Sequence, residues 1–327
     1  MKATLNVMLL LLLVSPLLAQ QFNTQRPNPE EPTRVEVGLV ISDIDDIDDA
    51  EQSFVANFYF QARWHDPRLE HKGLGSMRVS LDSIWHPSFQ MLNQQKVWAT
   101  LPRVALVEND GTVILRARVW GNFSQPLHLE DFPLDTQEFM ITIVALGNKK
   151  DDLFFQVDSL SGVTRTPSVA GWKIVSDTVD TESVHVTEAI TTQATLNIRF
   201  KAERETGYYI YNVILPLMII VMMSWIAFWL PVSELGTRVG IAITSMLTVM
   251  AYRFMIHNDL PTISYLTRMD VLVMESTVIV FFTLVEDLIA NLVGRRKGEE
   301  KGKKVDSVAK WLFPVLLGLS LARWFLS

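Results

Sequence analysis

The sequence contains no cysteine in 327 residues. A chain without cysteine forms no disulfide bond and offers no thiolate to a substrate or a metal ion. Histidine is also scarce, and its six copies are scattered along the chain rather than grouped. Isolated histidines are more often surface or locally hydrogen-bonded residues than metal ligands, so we predict no metal site.

Motifs of common enzyme sites are missing as well. No glycine-rich phosphate loop follows a predicted strand, and the His-Glu-x-x-His zinc motif does not occur. Basic residues cluster near residue 300, but they lie between two apolar segments, where such residues usually set membrane topology rather than bind nucleic acid. We therefore predict no enzymatic activity, no cofactor and no nucleic acid partner.

The first long apolar run lies at the N-terminus. Residues 1–19 carry a lysine near their start, an apolar run from Leu5 to Val14 and a small residue at Ala19, which is typical of a secretory signal peptide. The alternative is a first transmembrane helix, but the run is short and a polar, proline-containing stretch follows it. We predict that the mature chain begins near Gln20.

Four further apolar segments follow residue 206. They cover about 208–230, 238–257, 267–292 and 310–327, each close to the roughly 20 residues that span a bilayer. The short loop predicted at 294–309 carries more basic than acidic residues, so the positive-inside rule puts it in the cytoplasm. We therefore predict a multi-pass protein of the inner membrane, in contact with lipid, with its N-terminal domain and C-terminus outside.

Residues 20–205 have the character of a water-exposed domain. They contain 27 acidic and 17 basic residues, a balance of 17 − 27 = −10. Their apolar residues fall in short segments rich in β-branched and aromatic side chains, which Gly, Pro, Asn and Asp separate. This spacing predicts an all-β sandwich, with strands at 34–41, 54–64, 78–81, 112–120, 138–144, 153–157 and 192–201.

The second membrane segment is unusually polar. Small, hydroxyl-bearing and large apolar residues recur in it at steps of four and three, so they share one face of a helix; they are Gly240, Thr244, Leu247, Ala251, Phe254 and Asn258. Such a face predicts a pore lining, and the alternative is a buried helix of a membrane bundle. Arg238, Arg253 and His257 bracket the segment and favour the pore, since ionisable residues inside membranes usually face water or a bundle interior. One helix cannot enclose water, so a ring-shaped homo-oligomer is implied.

Residues 132–137, Phe-Pro-Leu-Asp-Thr-Gln, resemble the signature loop of the pentameric ligand-gated ion channels, the Cys-loop receptor superfamily. Residues 47–49, 64–69, 204–209 with Pro216, and 238–261 with Tyr265 match other motifs of that family in the same order. Gln125 and Phe139 stand where animal members carry the bridging cysteines. The resemblance is therefore to a bacterial member without this disulfide.

This resemblance implies an immunoglobulin-like extracellular sandwich followed by a four-helix transmembrane bundle, assembled as a homopentamer around a central pore. It also implies a set of residues that couple the two domains: Asp49, Phe132, Pro133, Asp135, Arg204, Asp259 and Pro261. A bidentate arginine between carboxylates makes a well-defined but breakable link. The alternative is an ion-pair cluster with a structural role only. Pro216 should kink the first membrane helix.

In animal relatives an aromatic cage between subunits holds an organic cation. Tyr59, with Gln61 beside it, matches one wall of that cage, but Val107 and Leu146 stand where other walls are expected. The hairpin at 179–190 has no aromatic residue. Because most of the aromatic walls are missing, a simple amine is disfavoured as the agonist. Other small-molecule agonists, including protons and small carboxylates, remain alternatives. His128 and His257 are candidate pH sensors, because histidine titrates near neutral pH.

Five copies of Leu247, with five of Phe254 nearer the outside, would make apolar constrictions that exclude water when narrow. Glu234 can form a carboxylate ring at the cytoplasmic mouth, and the acidic domain would concentrate cations. Arg238 lies close by and opposes this. We predict permeation of monovalent cations; the alternatives are an anion-selective channel of the same family and a non-conducting oligomeric envelope receptor or adhesion module.

Overall fold

The computed structural model describes residues 24–99, 103–146, 151–164, 167–184, 193–257 and 260–326. The predicted signal peptide, Asn258, Asp259 and the side chain of His257 lie outside this described part. Within it, a β domain is followed by four long helices, as the sequence predicts.

The described residues of the N-terminal domain form twelve strands: β1 (Thr33–Asp48), β2 (Ser53–His65), β3 (Met77–Ser80), β4 (Ser88–Met91), β5 (Gln94–Ala99), β6 (Val104–Val107), β7 (Thr112–Ser124), β8 (Thr136–Leu146), β9 (Leu153–Val157), β10 (Gly162–Val163), β11 (Trp172–Val184) and β12 (Gln193–Arg204). The larger sheet has the order β10-β1-β2-β7-β6-β3, with β5 beside β7 and β9 beside β1. The smaller sheet has the order β11-β12-β8-β4. Each of the seven predicted strand segments coincides with a strand, except that Leu81 begins a 3-10 turn and residue 192 lies outside the described part.

Phenylalanine rings join the two sheets. Phe54 of β2 lies 5.3 Å from Phe139 of β8 and 5.7 Å from Phe200 of β12, measured between ring centroids. Phe60 of β2 contacts Phe89 of β4 at 4.9 Å. These side chains come from alternate positions of their strands, because successive residues of a strand point to opposite faces. The domain core is therefore the apolar layer between the sheets, and no disulfide is needed to hold it.

Four helices follow: α1 (Gly207–Trp229), α2 (Leu235–His257), α3 (Arg268–Lys297) and α4 (Glu299–Leu326). Each is long and apolar enough to cross a membrane. Their positions agree with the predicted membrane segments, but α3 and α4 extend much further toward one another than predicted.

The predicted loop at 294–309 is wrong, because nearly all of these residues are helical. α3 continues to Lys297 and α4 begins at Glu299, so only Gly298, with φ +97°, separates them. Lys, Arg and Glu are good helix formers, and Lys303 pairs with Glu299 one turn away at 3.0 Å. The charged residues therefore indicate where the apolar, membrane-length part of each helix ends, but the helices themselves continue through them.

α1 is irregular where the sequence predicts a kink. Residues 210–214 form a π-helical turn just before Pro216. Proline has no N–H, so it cannot donate to the carbonyl of Asn212 four residues earlier. The hydroxyl of Tyr252 on α2 lies 3.1 Å from that carbonyl and 2.7 Å from the carbonyl of Val213. A side chain of α2 therefore satisfies the backbone that the proline leaves open.

Candidate functional site

Arg204, the last residue of β12, lies between two aspartates at the membrane end of the β domain. It donates from Nε and Nη2 to Asp135, just before β8, at 2.7 and 3.1 Å. It donates from Nη1 and Nη2 to Asp49, in the turn after β1, at 2.6 and 3.0 Å. Both pairs are bidentate, and the Arg204 side chain is only 3 % exposed. The three predicted residues therefore do come together.

Aromatic rings surround the guanidinium of Arg204. Its central carbon lies 4.1 Å from the ring centroid of Trp172 and 4.8 Å from that of Phe132. Tyr209, in the first turn of α1, accepts a hydrogen bond from Nη1 at 3.4 Å and packs edge-to-face on Phe132 at 5.0 Å. The ion-pair cluster thus contacts the membrane domain directly. The sequence analysis did not find Trp172 or Tyr209; Tyr209 lies in the matched motif, but nothing local marks Trp172.

Burial raises the pKa of Asp49 above its ordinary value, and the hydrogen bonds and charge of Arg204 oppose this without cancelling it. For Arg204, burial alone would lower the pKa, but hydrogen bonds and charge from Asp135 and Asp49 outweigh burial and raise it. Arg204 therefore stays protonated. On acidification, Asp49 therefore becomes protonated at a higher pH than an exposed aspartate would, which makes its pair with Arg204 sensitive to acid.

The loop between β7 and β8, which includes the cis peptide bond Phe132–Pro133, contacts the start of α3. Arg268 at the start of α3 pairs with Asp131 at 2.7 Å. The hydroxyl of Tyr265, before α3, accepts from the backbone N–H of Leu129 at 3.1 Å. Pro261 is half-buried in the connection between α2 and α3. Among the described residues, the hydrogen bonds and ring contacts of Arg204 do not include Pro261.

The predicted stripe of α2 is uncovered on the single subunit. Gly240, Thr244, Leu247, Ala251 and Phe254 are all exposed. Leu247 is 63 % and Phe254 74 % exposed, whereas Ala242 and Val249 on the opposite face are fully buried. Thr244 donates its hydroxyl hydrogen to the carbonyl of Gly240 at 2.8 Å, so an oxygen lone pair faces outward.

Arg238 does not belong to this stripe, and its prediction as a selectivity residue is corrected. Its side chain is fully buried within the subunit and pairs with Asp287, Asp306 and Glu286 at 2.8, 2.7 and 3.3 Å. A guanidinium enclosed by carboxylates within one subunit cannot line an ion path. Glu234, just before α2, is exposed. Helical periodicity could have shown that Arg238 faces away from the stripe, since Arg238 lies roughly half a turn away from Gly240.

The four predicted ligand-binding residues do not form one site in the subunit. Tyr59 and Gln61 share the outward face of β2, and Tyr59 is 49 % exposed. Leu146 ends β8 in the other sheet. Val107 is fully buried in the core, so its prediction as a ligand contact is wrong: a side chain without exposed surface cannot touch a ligand. His128 is exposed, and Gln137 holds its backbone through two hydrogen bonds.

Two arginines that the sequence analysis missed flank Tyr59. Arg118 of β7 lies over the tyrosine ring at 5.4 Å from its centroid, and Arg116 donates to Gln61 Oε1 at 2.9 Å. The signal was present in the alternation of β7, where Arg116, Arg118 and Trp120 occupy every second position. This outward face of β2 and β7 is therefore basic and aromatic.

Comparisons with known proteins agree with this arrangement. Residues 12–210 match the family model described as the neurotransmitter-gated ion-channel ligand binding domain, and residues 213–321 match the neurotransmitter-gated ion-channel transmembrane region. A similar protein is the gamma-aminobutyric acid receptor subunit beta-4 of Gallus gallus, 27 % identical over 285 residues. That alignment covers 84 % of this chain and spans 58 % of the relative's length. The chain, in which a buried arginine links a β domain to the first of four candidate membrane helices, belongs to the neurotransmitter-gated ion-channel family.

Proposed function

We propose that the protein is a homopentameric ligand-gated channel of the inner membrane, with its β domain outside. The observation that carries the proposal is the uncovered face of α2. Beyond its charged first turns, α4 exposes mainly large apolar residues, such as Trp311, Leu319 and Phe325, as expected for contact with lipid. The exposed stripe of α2 instead combines Gly240 and Thr244 with its large apolar residues, which suits a water-filled path with an apolar constriction.

The proposed gate consists of five Leu247 side chains, with five Phe254 side chains nearer the outside. The proposed coupling runs from the ligand-binding domain through Asp49, Asp135 and Arg204 to Tyr209 on α1. Ion flux into liposomes that contain the purified protein tests conduction. A correctly inserted pentamer without flux would instead support the non-conducting envelope receptor.

The proposed permeant ions are monovalent cations. The carboxylate of Glu234 is exposed before α2, while Arg238 is paired with three carboxyl groups within the subunit. A charged ring at a pore mouth selects ions of the opposite sign. The alternative is an anion-selective channel of the same family.

Reversal potentials in asymmetric NaCl test the selectivity. We expect the wild-type value near the sodium equilibrium potential and a shift toward chloride in Glu234→Gln. Glu300→Gln is the matched control, since Glu300 is an exposed acid on α4 away from the stripe. The interaction of a permeating ion with a hydrated carboxylate amounts to about 1–4 kcal/mol, so we expect a partial shift of the reversal potential rather than a full reversal of selectivity. A wild-type value at the chloride equilibrium potential contradicts cation selectivity.

The proposed agonist is a small anion, such as a carboxylate, rather than an amine. Arg118 already lies over the ring of Tyr59, so that ring is not available to an organic cation. Arg116 and Arg118 add positive charge that repels an amine and attracts a carboxylate. Protons remain the second candidate because the acid-sensitive Asp49 belongs to the proposed coupling link.

Currents evoked by a panel of small carboxylates and amines at constant pH distinguish these agonists. We expect carboxylates to open the channel and Arg118→Gln to weaken their effect about tenfold, which corresponds to about 1.4 kcal/mol. Arg63→Gln is the control, because Arg63 is an exposed arginine on β2 that faces Glu36. Activation by an amine that Arg118→Gln leaves unchanged contradicts the proposal.

A further inference from the structure

A second charged cluster lies inside the membrane domain and is not used in the function proposed above. It joins Arg238 of α2 to Glu286 and Asp287 of α3 and to Asp306 of α4. The side chains of Arg238 and Asp287 are fully buried, and those of Asp306 and Glu286 are 5 % and 13 % exposed. Three helices therefore meet at one guanidinium and three carboxyl groups.

The charges of this carboxyl cluster do not balance if every group is ionised. One positive and three negative charges leave 1 − 3 = −2 in a buried volume. An uncompensated buried charge is so unfavourable that a group binds a proton instead. The neighbouring bases do not restore the balance, because Lys303 pairs with Glu299 and Lys310 lies over the ring of Trp229. Glu234, from the α1–α2 connection, is acidic and exposed.

The carboxyl cluster also has too few hydrogen-bond donors for its carboxyl oxygens. Arg238 donates to Asp287 Oδ1, to both oxygens of Asp306 and to Glu286 Oε2. Among the described residues, Asp287 Oδ2 and Glu286 Oε1 are buried without a donor. Two of the six carboxyl oxygens therefore lack a partner. A proton on Glu286 would turn one of them into a donor, and Asp306 lies beside Glu286, because both carboxyl groups accept from Nη2 of Arg238.

The other surroundings of Glu286 also favour its neutral form. Glu286 lines a cavity of about 420 Å³ between α3 and α4, whose other walls include Phe228, Phe282, Leu312 and Leu316. Apolar walls cannot solvate an ionised carboxylate. A protonated carboxyl group that donates to Asp306 fits this position, whereas a carboxylate does not.

We propose that the carboxyl cluster is a proton-binding site, in which Glu286 carries a proton at neutral pH and shares it with Asp306. Loss of that proton leaves excess negative charge among α2, α3 and α4 and separates their cytoplasmic ends. The effect on gating rests on the proposed channel function, since Arg238 is a positioning residue at the cytoplasmic end of the pore helix. The proton itself does not depend on conduction.

Infrared difference spectroscopy of the full-length protein in liposomes tests the site without any current. We expect the C=O stretch of a buried protonated carboxyl group at neutral pH, its loss at alkaline pH, and its loss in Glu286→Gln at every pH. Glutamine keeps the shape of the side chain and can still donate to Asp306, so this variant should fold. Glu299→Gln, an exposed acid on α4, should retain the band. Absence of the band in the wild type, or an unchanged band in Glu286→Gln, overturns the proposal.

Currents in inside-out patches then test the consequence for gating. We expect alkaline cytoplasmic pH to change the open probability of the wild type and to leave Glu286→Gln unaffected. A band that titrates in a channel insensitive to cytoplasmic pH upholds the proton site and overturns its role in gating. A band that titrates in a protein that conducts nothing upholds the site and counts against the proposed function alone.

Discussion

Arg204 shows how much one side chain can hold together at a domain boundary. Its planar guanidinium makes two bidentate pairs with carboxylates from two different loops, and three aromatic rings exclude water around it. Lysine has the same charge but only a single ammonium group, so it cannot reproduce two forked pairs. Removing the arginine altogether leaves two carboxylates facing each other in a poorly hydrated site.

We expect Arg204→Lys to fold and insert but to need at least tenfold more agonist, because the link keeps its charge and loses its geometry. Arg204→Ala should also lower stability, since breaking a buried pair costs about 3–5 kcal/mol. Agonist concentration–response curves and apparent melting in detergent measure the two effects. Arg199→Lys, on the same strand but paired at the surface, is the control. Normal gating by Arg204→Lys would mean that the cluster has only a structural role.

Leu247 is the second single residue with a defined expectation. We expect Leu247→Ser to leak at rest or to open at lower agonist concentration, because a polar constriction favours the hydrated open state. Resting current and its block by competing ions measure this. Leu319→Ser on α4 is a closely matched control, as Leu319 is 62 % and Leu247 63 % exposed. Equal behaviour of the two variants would remove Leu247 from the gate.

These residues also show which parts of the site the sequence can predict. The resemblance of residues 132–137 and 204–209 to family motifs predicts that Asp135 and Arg204 lie at the domain boundary, and the helical period predicts the exposed stripe of α2. The partners of Arg238 were not predictable, because Glu286, Asp287 and Asp306 are 48 to 68 residues away along the chain. Val107 was assigned by alignment with relatives, which carries no information about burial.

At the scale of elements, the sequence predicts seven of the twelve described strands and misses β4, β5, β6, β10 and β11. β11 was missed because it is the edge strand of the smaller sheet, and many of its residues are polar and exposed. β4 and β10 have only four and two residues, too few to show a period. The helices were placed correctly from hydropathy, but their ends were not, since charged turns outside the membrane remain helical.

The contact between α1 and α2 gives a prediction at this scale. We expect Tyr252→Phe to loosen the π-helical turn before Pro216, because the carbonyls of Asn212 and Val213 lose their only side-chain donor among the described residues. A lost hydrogen bond of this kind costs about 0.5–1.5 kcal/mol. Apparent melting in detergent and the agonist response measure it. Tyr211→Phe is the control, since Tyr211 is 71 % exposed on α1, and equal effects would show that the contact is unimportant.

At the scale of the whole molecule, the proposed assembly is a ring of subunits. A single subunit leaves the stripe of α2 and the basic face of β2 and β7 uncovered, and a closed ring would turn the stripe toward a shared axis. We expect five copies per particle. Native mass spectrometry of the detergent-solubilised protein, or the symmetry of single-particle images, measures the number. A stable monomer or dimer in lipid would contradict the ring and leave the uncovered stripe without an explanation.

The near-continuous joint at Gly298 has a consequence for how the molecule sits in its membrane. α3 and α4 have 30 and 28 residues, roughly eight to ten more than a bilayer requires. At about 1.5 Å per residue these extra turns reach some 12–15 Å past the hydrocarbon, and they carry Arg295, Arg296, Lys297, Lys301, Lys303 and Lys304. Each base near an anionic lipid surface contributes about 1 kcal/mol. We therefore expect anionic lipid headgroups to attract the basic turns on either side of Gly298. In membranes poor in anionic lipid, α3 and α4 should sit at a different depth in the bilayer.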